Sequence, residues 1–205
     1  MQKAKKFFFA VGLLSGAQMA MAEGLYVVGS LGAGMPASSL KTDGDTAATA
    51  AGLQSVSSSV ANGTLMSGAL GYAFNDSFAI EAGYIDSGTM KYTGSAKIPG
   101  GAAVTLDGNA KVSGTHIAIL GAAPMNDKFS VFAKIGYSMS TVTEEGSVVA
   151  AGQSFAIPKT SENRNSVSWG IGAAYKITDQ FSVRAGYDNY FKDVSGLSAS
   201  LVLKF

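Results

Sequence analysis

The sequence predicts an all-β protein, an eight-stranded antiparallel up-and-down barrel that crosses a membrane. Three observations predict it. Apolar residues alternate with small or polar ones over runs of about nine residues, the period of a strand with one apolar face. After the first residues, no apolar run reaches the ~20 residues a spanning helix needs, and the longest, residues 117–123, stops at Pro124. A strand–turn–strand unit also recurs: Asp76-Ser77-Phe78-Ala79-Ile80-Glu81-Ala82-Gly83-Tyr84 returns as Asp179-Gln180-Phe181-Ser182-Val183-Arg184-Ala185-Gly186-Tyr187. A looser copy starts at Asp127-Lys128-Phe129-Ser130-Val131 and ends at Gly136-Tyr137.

Each element follows from these patterns. The first strand covers residues 25–34, with Leu25, Val27, Gly29 and Leu31 on one face. Three hairpins come next, turning at Asn75-Asp76, Asn126-Asp127 and Thr178-Asp179, residue types that suit tight links. Residues 197–205 close the series at eight strands. Between hairpins run longer links, residues 35–64, 87–110 and 141–165, rich in Ser, Thr, Ala and Gly and read as loops. Pro36, Pro99, Pro124 and Pro158 are assigned to loops or turns, as sheet pairing demands. Short turns at one end and long links at the other are the pattern of a membrane barrel, which must close because lipid cannot satisfy a free sheet edge.

Residues 1–22 read as a cleaved export signal. Lys3, Lys5 and Lys6 precede an apolar core at residues 7–14, and Ala20-Met21-Ala22 is a small-x-small cleavage site. Cleavage between Ala22 and Glu23 leaves residues 23–205 as the barrel domain, exported by the Sec route.

Composition narrows the function. The 205 residues are 47% hydrophobic and 14% charged, with formal net charge +1, too balanced for an electrostatic grip on nucleic acid. With no Cys and one His, the chain holds no disulfide framework and no Cys- or multi-His metal site, and no cofactor is expected.

Facing follows from charge. Phe78, Ile80, Ala82 and Tyr84, and Phe181, Val183, Ala185 and Tyr187, form uncharged faces for lipid, while Glu81, Lys134, Arg184 and Asp188 fall on the opposite parity, inside. A Lys or Arg facing lipid at mid-depth costs about 2–4 kcal/mol. Tyr72, Phe74, Phe78, Phe129, Tyr175, Phe181 and Phe205 form an aromatic girdle near the turns, and Tyr84, Tyr137 and Tyr187 one near the links. The strand around His116 fits either facing, and His116 inward is preferred.

On these segments, above all residues 25–32, 70–84 and 177–187, the chain resembles the OmpA-like, opacity-type outer membrane β-barrel domain family. The resemblance implies an integral outer-membrane protein of a Gram-negative bacterium, a porin-family surface antigen. It implies that Glu81 and Arg184 meet in the lumen and plug it, with Lys134 as a further inner basic residue. Three other polar positions of the family fall here at Ser30, near Ile119 and at Ala174. No peptidoglycan-binding domain is expected after Phe205. The alternating last strand, with Leu201, Leu203 and the terminal Phe205, resembles the signal read by the barrel assembly machinery.

Catalysis is not expected. Lipid A deacylases that share the eight-stranded barrel carry a Ser two residues after a His, but here position 118 is Ala, and Ser113 and Thr115 are wrongly spaced from His116. Gly29, Gly32 and Gly34 precede no helix pattern and make no phosphate cradle. The favoured reading is a monomeric structural or surface-interaction barrel. It contacts outer-membrane lipid and lipopolysaccharide, and its extracellular loops meet a host or cell-surface ligand. The alternative is a narrow porin-like channel. Less favoured are a lipid-modifying enzyme and a soluble lipocalin-like carrier.

Overall fold

A computed structural model describes residues 24–205. The export signal and the Ala22/Glu23 junction lie outside the described residues. In chain order the elements are β1 (Leu25–Pro36), α1 (Ser38–Ala50), β2 (Gln54–Val60), β3 (Gly63–Ala73) and β4 (Phe78–Lys97). Then come β5 (Ala103–Pro124), β6 (Phe129–Ala150), β7 (Gln153–Lys176), β8 (Phe181–Phe191) and β9 (Val194–Lys204).

Eight strands close a ring. β1 pairs with β3, each later strand pairs with its successor, and β9 returns to β1, all antiparallel. Closure leaves no sheet edge in the ring, which a bilayer demands. The three tight turns share one chemistry. Asn75 Oδ1 accepts from the Ser77 and Phe78 amides, Asn126 Oδ1 from Lys128 and Phe129, and Thr178 Oγ1 from Gln180 and Phe181. Each side chain thus satisfies two amides that the hairpin bend leaves without ladder partners.

The links between hairpins are not loops, which corrects the sequence reading. Residues 87–97 and 103–110 are strand, as are residues 141–150 and 153–165, so two hairpins continue far past the barrel rim. Three of the four prolines also stand within strands, Pro36 and Pro124 as the last residues of β1 and β5 and Pro158 beside a register shift of the β6–β7 pair. The first link holds α1 and β2. β2 is a ninth strand outside the ring, pairing only with the upper part of β4. Above the rim, β2, β4, β5, β6 and β7 therefore form an open sheet.

β4 changes partner from β3 to β2 across a register shift between Asp86 and Thr89. Gly88 lies there at φ +66, and an added Cβ would sit 2.6 Å from the Thr64 carbonyl oxygen. Ser87 repairs the broken ladder: its Oγ accepts from the Val112 amide at 2.9 Å.

Side chains sort by face. Ile117, Ile119, Ile135, Val167, Ile171, Leu70 and Leu201 are all at least half exposed on the barrel's outer wall. The interior is layered. Tyr26, Val28, Leu120, Phe132 and Val202 cluster near the turns, while Leu65, Ile85, Met90, Val112, Phe191 and Val194 cluster near the rim, where Leu40 of α1 joins them. Higher still, Ala96, Val104 and Leu106 pack beneath α1 and β2.

Candidate functional site in the barrel lumen

Between the two apolar layers of the barrel lies a belt of charged side chains. The parity that sends Ile80 and Ala82 outward on β4 turns Glu81 inward, where it is 3% exposed. Arg184 arrives from β8, 103 residues later, and its Nη1 lies 2.5 Å from Glu81 Oε1. Tyr26 of β1 donates its hydroxyl to the same oxygen at 2.9 Å. The Arg184 guanidinium also lies over the Tyr26 and Phe132 rings, 5.3 and 5.5 Å from their centroids. Each member thereby has a partner, the condition on which buried charge is tolerated.

A second pair stands nearer the rim. Lys134 Nζ of β6 contacts Asp188 Oδ1 of β8 at 2.7 Å, and Tyr190 donates to Asp188 Oδ2 at 2.9 Å. Glycine makes room for both pairs. A Cβ at Gly71 would fall 2.2 Å from the Tyr26 ring, and one at Gly170 would fall 2.0 Å from Asp188 Oδ1. Gly170 is the register partner of both Lys134 and Asp188, so the ion pair spans the bare backbone between them.

His116 points inward, buried beside Tyr190 with a centroid separation of 6.3 Å. Ser138 is its register partner on β6, and neither His116 Nδ1 nor Ser138 Oγ has a hydrogen-bond partner among the described residues. Ser113 and Thr115, on the other parity of β5, do not share its face. The free space among these side chains is about 20 Å³, lined by Glu81, His116, Phe132, Lys134 and Arg184, with about 10 Å³ more near Ser168 and Tyr190. That is room for a water or two. No group of three or more His, Cys, Asp or Glu residues that could hold a metal occurs among the described residues.

The rim is fastened from above. Asp193, buried in the β8–β9 turn, contacts Arg164 Nη1 of β7 at 2.7 Å and accepts from Ser39 Oγ at 3.2 Å. Its carbonyl accepts the Ala37 amide at 2.8 Å. Midway along α1, Asp45 accepts from Tyr92 OH at 2.8 Å and from Ser58 Oγ, and it pairs with Lys41 at 2.6 Å. These donors, Lys41 foremost, hold the Asp45 carboxyl below the usual carboxylate range.

Of the residues singled out in the sequence, Glu81 and Arg184 come together, while Lys134 pairs with Asp188 instead. Tyr26 and Tyr190, each at inward parity on its strand, complete the two pairs and carry no charge pattern that marks them in the sequence. Leu201 and Phe205 stand exposed on the outer wall, Leu203 shares their parity, and the Phe205 amide donates to the Leu25 carbonyl at 3.0 Å.

A closed ring with an apolar outer wall and a charged interior defines a transmembrane β-barrel of the outer-membrane type. The chain belongs to the outer membrane protein beta-barrel domain family, which it matches over residues 5–205. It matches no curated protein sequence. Among solved structures it is similar to Ail, the attachment invasion locus protein of Yersinia pestis, at 15% identity and TM-score 0.41, covering 89% of this chain and 98% of that one. It is also similar to Neisserial surface protein A, at 17% identity and TM-score 0.46, with 89% and 98% covered. A third is the N-terminal β-barrel domain of Pseudomonas aeruginosa OprF, at 11% identity and TM-score 0.46, with 90% and 100% covered.

Proposed function

We propose that this outer-membrane protein works through its extracellular sheet and not through its lumen, as a monomeric surface-interaction or envelope barrel with no catalytic role. The observation that carries this reading is the double obstruction of the interior. A belt of paired charges, Glu81–Arg184 and Lys134–Asp188, fills the middle, and the apolar layer containing Leu40 lies above it. The interior of an eight-stranded barrel is narrow enough for side chains to fill, and these two layers support the reading that no continuous water path crosses it.

In this proposal a leader ending at Ala22 is removed on export, and Leu201, Leu203 and Phe205 are read by the assembly machinery. Residues 87–110 and 141–165 are presented outside the cell to a host or neighbouring-cell ligand. The test is a chain with both hairpins shortened to tight turns at the rim, checked for a heat-modifiable band in the outer membrane. Cells carrying it should lose surface attachment or envelope resistance relative to wild type while keeping the barrel. Unchanged attachment and resistance with the hairpins gone would overturn the reading.

A further inference from the structure

β7 rises past its neighbour. It pairs with β8 only from Trp169 to Lys176, so residues 153–168 form a free edge of the sheet above the rim, and residues 153–163 are exposed throughout. The β6–β7 tip is a two-residue link whose Ala151 and Gly152 stand at φ 50 and 79, the positive pair of a type I′ turn. Ala150 and Gln153 close it. The closing pair of such a link exchanges both hydrogen bonds, and alternate residues beyond it turn their backbone groups away. Ser154 and Ala156 therefore present N–H and C=O to the open side. Pro158, the next in that alternation, presents a C=O alone.

Free edges are ordinarily guarded by charge, proline or a bulge. The lower part of the β7 edge carries Lys159, Glu162 and Arg164, and the β2 edge is broken by a register shift between Gln54 and Ser57, with Ser55 at φ 51. Residues 146–157, by contrast, hold no charge and no proline. Phe155 and Ile157, on one face of the strand, are 57% and 52% exposed. The row of open backbone groups fits another strand.

That row is complementary to itself. With two copies antiparallel about a two-fold axis through Ala156, the two Ala156 residues exchange both backbone bonds. Each Ser154 N–H meets the C=O of the other copy's Pro158, and the N–H that proline lacks costs only the terminal bond. Phe155 then stands opposite the other copy's Ile157 on one face, and the symmetry repeats the pair. Barrels in one membrane all run β7 toward that membrane, so lateral neighbours meet with parallel edges. An antiparallel match needs a copy pointing the other way, as one in a facing membrane does.

We infer that residues 154–158 of β7 join this chain to a second copy in a facing outer membrane, as an antiparallel strand pair between cells. The inference rests on the proposed extracellular placement of the β6–β7 hairpin and names the ligand there as the chain itself. Each barrel stays monomeric in its own membrane.

The test uses cells carrying the full chain, which has no Cys of its own. Two populations with different epitope tags, each bearing Ala156→Cys, are mixed and oxidised. Disulfide dimers holding both tags should form, since opposed residues of such a pair stand about 5.5 Å apart at Cα, within the reach of a disulfide. Thr105→Cys, on β5, should form none. Ala156→Pro removes only an outward N–H from an edge strand. It should keep the heat-modifiable barrel and lose most of the clumping between cells. Phe155→Lys cells and Ile157→Glu cells should each clump poorly alone and recover when mixed, because the register opposes these two positions. Dimers of one tag only, undiminished clumping of Ala156→Pro, or no recovery on mixing overturns the inference and leaves the surface-interaction reading standing. Labelling of the Ala156→Cys thiol by an impermeant maleimide on unmixed cells tests that reading separately, and failure to label overturns both.

Discussion

β5 below Thr115 and β5 above it are the same strand in two solvents. Below, the outward residues Ile117 and Ile119 are apolar and His116 faces in. Above, the outward residues are Lys111, Asn109, Asp107 and Thr105, while Val112, Leu106 and Val104 are buried behind them. The two regions share a ladder, a parity and their partner strands, and both bury apolar residues on the inward face; only the outward face changes from apolar to polar. Backbone pairing makes the strand and is indifferent to the medium, whereas the medium selects the chemistry of the outward face. The lower region must close into a ring because lipid offers no hydrogen bonds. The upper region can stay open at β2 and β7, where water serves the edges.

The largest expected effect attacks the lower region's paired interior. Glu81→Ala strands Arg184 in the lumen and should cost about 3–5 kcal/mol, as loss of one partner of a buried pair does. The double variant with Arg184→Ala should be less destabilised, because no lone charge remains. Urea unfolding in micelles measures both, and equal stability of single and double variants would deny the coupling.

Next in size is a charge moved across the boundary. Ile117→Lys should cost about 2–4 kcal/mol in a bilayer. Lys111→Ile, on the same face six residues higher, should change stability by less than about 1 kcal/mol, losing only a half-exposed pair with Asp86. Similar costs at the two sites would mean that the boundary is not near Thr115.

Leu40→Ala, which trims the apolar layer under α1, should cost about 2 kcal/mol locally, toward the low end for such truncations. Protease nicking within residues 37–53 should accelerate while the barrel band persists.

The smallest effect is a pH dependence of the same segment. Since Asp45 is held below its ordinary value in the folded chain, its contribution is full above the unfolded value of about 3.9. It fades as pH falls through the depressed folded value. Accessibility of α1 should therefore rise only in acid below about pH 4, and Asp45→Asn should abolish that dependence.

Much of the lower region was legible because its two constraints write themselves into sequence. Lipid forbids charge on one face, and the tight turns need Asn75, Asn126 and Thr178 where they stand. The upper region was harder to read. Residues 104–112 do alternate, with Val104, Leu106, Ala110 and Val112 set between polar neighbours. Ser, Gly, Asn and Lys are strand-poor residues, however, and the composition resembles solvated loop. Those residues are held extended by the strands beside them, a tertiary cause that no local pattern records. α1, drawn from Ser, Thr, Ala, Gly and Asp, is likewise held by Leu40, Asp45 and Asp193 contacts across the fold. In the lumen, parity placed Glu81, Lys134, Arg184 and Asp188 inside, but only ring closure decides which acid meets which base. Tyr26 and Tyr190 become relevant only once those acids have positions.

Ion conductance of the purified barrel in planar bilayers tests the central claim most directly, since that claim is an interior closed at two levels. Wild type should show no stable open level, and neither should Leu40→Ala or the Glu81→Ala/Arg184→Ala pair taken alone. Combining the three substitutions should produce measurable openings. A persistent open level in the wild-type protein would contradict the account.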